Sequence, residues 1–113
     1  MNNNDVINSD WMKSMGSKKE FLTKLFTVFL RDEPARVLKI KDALESGQME
    51  ELKYLAHSLK GAAATMGADK VKAACLELEQ SALSGDASKA DQDLHSLETE
   101  MKLVYDFMSN YIH

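Results

Sequence analysis

The sequence predicts an all-α protein: an up-and-down antiparallel four-helix bundle with a short extra helix at its N-terminus. Three observations carry that expectation. Helix breakers are scarce, with one proline and five glycines in 113 residues. β-Branched residues never fall into alternating runs, so strands have no support. Apolar residues recur at helical spacing in four long segments, and short glycine-containing turns separate those segments.

Residues 1–4 are asparagine-rich and are expected to fray. A short helix is expected from about Asp5 to Met15, ended by Gly16. Ser17 and Glu20 then form S-x-x-E, a capping box that opens the second helix. Phe21, Leu22, Leu25, Phe26 and Phe29 give it an apolar stripe, with Phe21, Phe26 and Phe29 expected in the core. Pro34, which lacks an N–H and crowds the preceding turn, is expected to bend or interrupt it. Val37, Leu38, Ile40 and Leu44 resume the stripe, and Gly47 ends it. The third helix is expected over Met49 to Met66, stopped by Gly67. The fourth runs from about Asp69 to Leu83, with Val71, Ala74, Cys75, Leu78 and Ala82 on one face. Ser84-Gly85-Asp86 reads as a turn. The last helix, from about Ala87 to Tyr111, carries Leu94, Leu97, Met101, Val104, Met108 and Ile112 at the spacing of a bundle seam.

The length supports one domain over residues 1–113 with a core of its own. The single cysteine, Cys75, cannot close an internal disulfide and suits a reducing compartment; on an apolar face it reads as a buried, inert thiol. No secretory signal and no membrane-length apolar run are present, so a cytoplasmic protein is expected. Formal net charge is -4, with acids and bases interleaved and no basic stripe, which argues against nucleic acid. His95 and His113 stand at no metal-ligand spacing from His57, so no metal site is expected. Glu77 and Glu79 read as helix-surface acids without acid–base duty.

The third helix has an unusual surface. On a wheel of about 100° per residue, Leu52, Leu55, Leu59, Ala62 and Met66 gather on the core side. His57 points away from them. Lys53, Tyr54, Lys60, Gly61 and Ala64 all lie within about 60° of it. Glycine inside a helix costs about 1 kcal/mol relative to alanine, and an exposed position offers no packing reason for Gly61. Close approach of another molecule to the backbone beside His57 would supply one. A neutral imidazole, with a reference pKa of about 6.5, is a nitrogen nucleophile able to accept a phosphoryl group. Lys60 would place positive charge at the phosphate oxygens. Nothing else in the chain offers Mg²⁺ ligands or a nucleotide cradle, and phosphoryl transfer depends on positioning and charge neutralisation. A partner would have to bring them.

Ala56-His57-Ser58-Leu59-Lys60-Gly61, the small residues up to Thr65 and then Met66-Gly67-Ala68 resemble the histidine phosphotransfer (HPt) domain of multistep two-component phosphorelays. The family pattern A-H-x-L-K-G, then small residues, then L-G-A, is matched with Met66 where leucine is commoner. Cys75-Leu76-Glu77-Leu78-Glu79 is similar to the C-x-x-L-E stretch that usually follows, and Phe21 to Leu44 to the family's proline-bent second helix. An H-x-x-K-G alone arises for roughly one histidine in a few hundred; the combined pattern is far more specific. The resemblance implies that His57 takes a phosphoryl group from the phospho-aspartate of a receiver domain, usually of a hybrid sensor kinase. It would pass the group to the receiver of a response regulator. It also implies no kinase activity and no bound cofactor, with Mg²⁺ supplied by the receiver. Lys60 would steady the phosphoryl group, Gly61 would leave room for receiver loops, and Lys53, Tyr54 and Ala64 would lie on the docking face. A monomer is expected, because one face must stay free. The rival reading is a helical interaction module that binds without phosphoryl chemistry. An independent enzyme has no paired carboxylates or nucleophile–base pair to rest on.

Overall fold

The computed structural model describes residues 5–16 and 18–113. Among them are five helices: α1 (Ser9–Ser14), α2 (Lys19–Glu45), α3 (Met49–Thr65), α4 (Asp69–Ser84) and α5 (Ala87–Ile112). α2 packs on α3, α3 on α4, α4 on α5 and α5 back on α2, so the four long helices close a ring around one core. Leu22, Phe26, Phe29, Ile40, Leu52, Leu59, Val71, Leu78, Leu97, Met101, Val104 and Met108 fill it.

The three joins between long helices use the same device. At the end of α2, the Gln48 N–H donates to the Ala43 carbonyl and the Gly47 N–H to that of Leu44. Ala68 to Ala63 with Gly67 to Ala64, and Asp86 to Ser81 with Gly85 to Ala82, repeat the pattern after α3 and α4. Each is a Schellman turn, which satisfies the orphan carbonyls at a helix end and needs a left-handed residue at its apex. Gly67, at φ 69°, shows the second reason for glycine. A Cβ there would stand 2.7 Å from Cγ of Trp11.

That contact fixes α1. The Asn8 N–H donates to the Gly67 carbonyl at 2.8 Å, and Asn8 Nδ2 donates to Asp69 Oδ2 at 2.7 Å. Asn8 Oδ1 in turn accepts from the Trp11 N–H at 2.9 Å, capping α1. The helix therefore begins at Ser9 rather than near Asp5: Asn8 takes the non-helical cap position, and Ile7 before it turns into the core. Trp11 stacks on Phe26, and Phe26 meets Tyr111 edge-on, so the short helix closes one end of the bundle.

Several expectations are corrected. α2 starts at Lys19 with Lys18 as its cap residue and no side-chain cap bond; Ser17 of the expected capping box lies outside the described residues. α2 also continues through Pro34 without interruption. Pro34 is exposed, and the buried residues on either side of it lie on one continuous face that holds the helix together. Phe21 and Leu38 stay 48% and 64% exposed, off the buried line of Leu22, Phe26, Phe29, Ile40 and Ala43. In α3, Ala56 and Ala63 are fully buried while Leu55 and Ala62 are only half-buried. The buried face is thus rotated by about 40° from the expected one. That rotation moves Lys53 and Lys60 toward the packed side.

Candidate functional site

His57 stands two turns into α3, on a helix whose backbone bonds run from Met49 to Thr65. Its side chain is 67% exposed, with Nδ1 3.0 Å from Glu79 Oε2. Lys60, one turn further along α3, donates from Nζ to Glu79 Oε1 at 2.7 Å. Glu79 reaches both from the middle of α4, so one carboxylate ties the two α3 side chains to the neighbouring helix. Lys60 and Glu79 are each about four-fifths covered, which protects their ion pair from solvent screening. The hydrogen bond from Lys60 holds the Glu79 carboxyl below its ordinary value against its own desolvation, and the His57 bond adds to this.

Glu79 is the residue that sequence reasoning missed. It lies 22 positions from His57, and a wheel of α3 alone cannot show what α4 presents. The available signal was the C-x-x-L-E stretch itself, whose closing acid is Glu79, four residues after the buried Cys75 on α4. Cys75 itself is fully buried, and that burial pushes its thiol up to about 12.

Gly61 is exposed, and a Cβ placed on it would meet nothing within 4 Å. The helix therefore does not need glycine here for its own packing. Thr65 Oγ1 donates to the Gly61 carbonyl one turn below. Ala64 and Tyr54 are exposed as expected, Tyr54 at 73%. Lys53 is instead half-buried and paired with Glu50 at 2.9 Å, so its charge is partly engaged within α3. His95 pairs loosely with Asp91 and Glu98 on α5, away from this group. Among the described residues no three His, Cys, Asp or Glu side chains gather as metal ligands. No helix among them is long and apolar enough to cross a membrane.

The arrangement is an exposed imidazole on a rigid helix, with a cation one turn away and an unobstructed backbone beside it. It can present a ring nitrogen to an incoming group without moving the chain.

Comparison with solved structures points the same way. The fold superposes with a TM-score of 0.87 on histidine-containing phosphotransfer protein B (HptB) from Pseudomonas aeruginosa PAO1, at 27% identity over 96% of this chain and 95% of that one. A rice chain described as a histidine-containing phosphotransfer protein shares the fold at a TM-score of 0.78, with 18% identity over 95% of this chain and 81% of its own. No curated protein matches the sequence. The profile of the Hpt domain matches residues 24–106, most of the chain and all of the site just described. The chain therefore belongs to the Hpt domain family, and its function is that of a histidine phosphotransfer carrier in phosphorelays.

Proposed function

We propose that His57 is the phosphoryl acceptor of this carrier. The observation behind this reading is the exposed His57 ring set between Lys60 and the open backbone at Gly61. A lone pair of the ring attacks phosphorus on a receiver's phospho-aspartate. The N–P bond forms as the P–O bond breaks, and the bonding pair remains on the aspartate carboxylate. Onward transfer to a second receiver is the same step reversed.

The donor is the receiver of a hybrid sensor kinase and the acceptor that of a response regulator. The chain itself contributes no kinase activity, and Mg²⁺ belongs to the receivers. Lys60 steadies the phosphoryl oxygens, Gly61 admits the receiver's loops, and Lys53, Tyr54 and Ala64 form the rim of the docking face. The whole chain acts as one cytoplasmic unit, as a monomer, because both partners use one face.

The test is transfer from a panel of aspartyl-phosphorylated, radiolabelled receivers in Mg²⁺, with wild type beside His57→Gln. An acid-labile, alkali-stable label on wild type and none on the variant is the expected result. Receivers that bind but never label wild type would overturn it in favour of a binding module.

A further inference from the structure

α4 carries a second stripe besides the one it buries. Its core face holds Val71, Cys75, Leu78 and Ala82. Lys72, Leu76, Glu79 and Leu83 recur at the same helical spacing about 100° round the helix. Glu79, in the middle, is the side chain that meets His57 and Lys60. We infer that Leu76 and Leu83 form an apolar strip that anchors a docked receiver, carrying the docking surface off α3 and onto α4; the identity of the occupant rests on the carrier reading. α3 and α4 are joined by a tight turn and run antiparallel, so the Glu79 contacts set their register. From Glu79, Leu76 lies about 4.5 Å along the axis towards the level of Ala64, and Leu83 about 6 Å the other way towards Tyr54. His57 therefore opens between two leucines.

Packing within the bundle does not account for these leucines. Leu76 is 43% exposed, and Leu83 and Tyr54, both at 73%, are the most exposed large apolar side chains among the described residues. A single leucine on a surface is ordinary, but these three border one histidine. Transfer makes the same demand of both receivers, since each must bring its aspartate in line with the His57 ring. The surface that holds a receiver in place therefore has to lie beside that point. Apolar side chains suit this duty, because their attraction does not depend on whether the phosphoryl group is present. A phospho-aspartate with the carboxylates that hold its Mg²⁺ makes an acidic pocket, and the exposed Lys72 at the end of the stripe complements it. The matching receiver surface is thus an apolar patch bordering an acidic pocket.

The test uses Leu76→Gln, Leu83→Gln and the double variant, because both positions are exposed and glutamine is a good helix former. Leu38→Gln is the control: Leu38 is 64% exposed in the groove between α2 and α5, on the opposite side of the ring of helices. Receivers that bind wild type are titrated in Mg²⁺ by calorimetry. Phosphorylation by phosphoramidate, a small donor that needs no receiver, is followed beside them. The double variant should bind on the order of tenfold more weakly or worse, with each single variant in between. Leu38→Gln should bind as wild type does, and every variant should keep the wild-type phosphoramidate rate. Wild-type affinity in the double variant overturns the inference. So does an equal loss in Leu38→Gln, which would mean unspecific adhesion, or a phosphoramidate rate that falls with the affinity, which would mean a damaged site. Receivers that bind wild type but never label His57 count against the carrier reading alone, and the ratio of affinities still decides the strip.

Discussion

At the scale of single residues, the site combines side chains with opposite demands. As the proposed acceptor, His57 must be open to a partner, while an ion pair such as Lys60–Glu79 is strongest where water is partly excluded. Rotation of the buried face of α3 toward Ala56 and Ala63 meets both, leaving His57 exposed and tucking Lys60 against α4. Gly61 gives the cleanest test. Gly61→Gln should leave stability unchanged or raise it by up to about 1 kcal/mol, since the position is open and glutamine is the better helix former. Transfer should slow on the order of tenfold or more, because displacing a docked partner by about an ångström disturbs in-line geometry. Single-turnover transfer rates beside thermal midpoints check it, and a wild-type rate would remove the close-approach argument. His57, Lys60 and Gly61 were legible from the sequence because they share one helix, where spacing alone sets their relation. Glu79 was not, because the register of α4 against α3 is decided by how Ala56, Ala63, Cys75 and Leu78 pack.

Among the elements, the helix ends carry most of the specification. Gly47 and Gly67 hold nearly the same left-handed φ, yet only Gly67 lies under Trp11. Gly47→Ala should therefore cost about 1 kcal/mol, the ordinary penalty for a Cβ in that region. Gly67→Ala should cost about 1–3 kcal/mol more, since the indole must shift from its root and loosen α1. Denaturant midpoints of the two variants, with Trp11 fluorescence as the local reporter, separate these contributions. The tie between α3 and α4 can be followed through pH. The folded-state value of Glu79 lies below its ordinary one, so the stability it contributes is present above the ordinary carboxylate range and is lost as pH falls through the lowered value. Unfolding midpoints of wild type and Glu79→Gln should accordingly converge as pH is lowered through and below the ordinary carboxylate range. Four of the five helices were readable to within a residue or two at most ends, because glycine at a Schellman apex and a 3.6-residue apolar period are local properties. The start of α1 was not, since Asn8, which caps it through Trp11, is held in place by bonds to Gly67 and Asp69, some 60 positions away.

For the molecule as a whole, the ring of four helices makes the interior one cooperative unit. Cys75 reports on it. Its sulfur is fully enclosed and its thiol is held up to about 12, so a thiol reagent should react only when the bundle opens globally. Labelling of native protein should run at the rate set by the unfolding equilibrium, and should rise in step with the destabilisation of Gly67→Ala. Fast labelling of the native state would mean that α4 opens by itself. The bundle also determines how firmly a carrier holds its cargo. Lys60 reaches the site already satisfied by Glu79, so the three groups together bring almost no surplus positive charge to a dianionic visitor. A deeper electrostatic well would turn the site into a sink. With its cation already shared, the proposed site would offer a phosphoryl group only a shallow resting place.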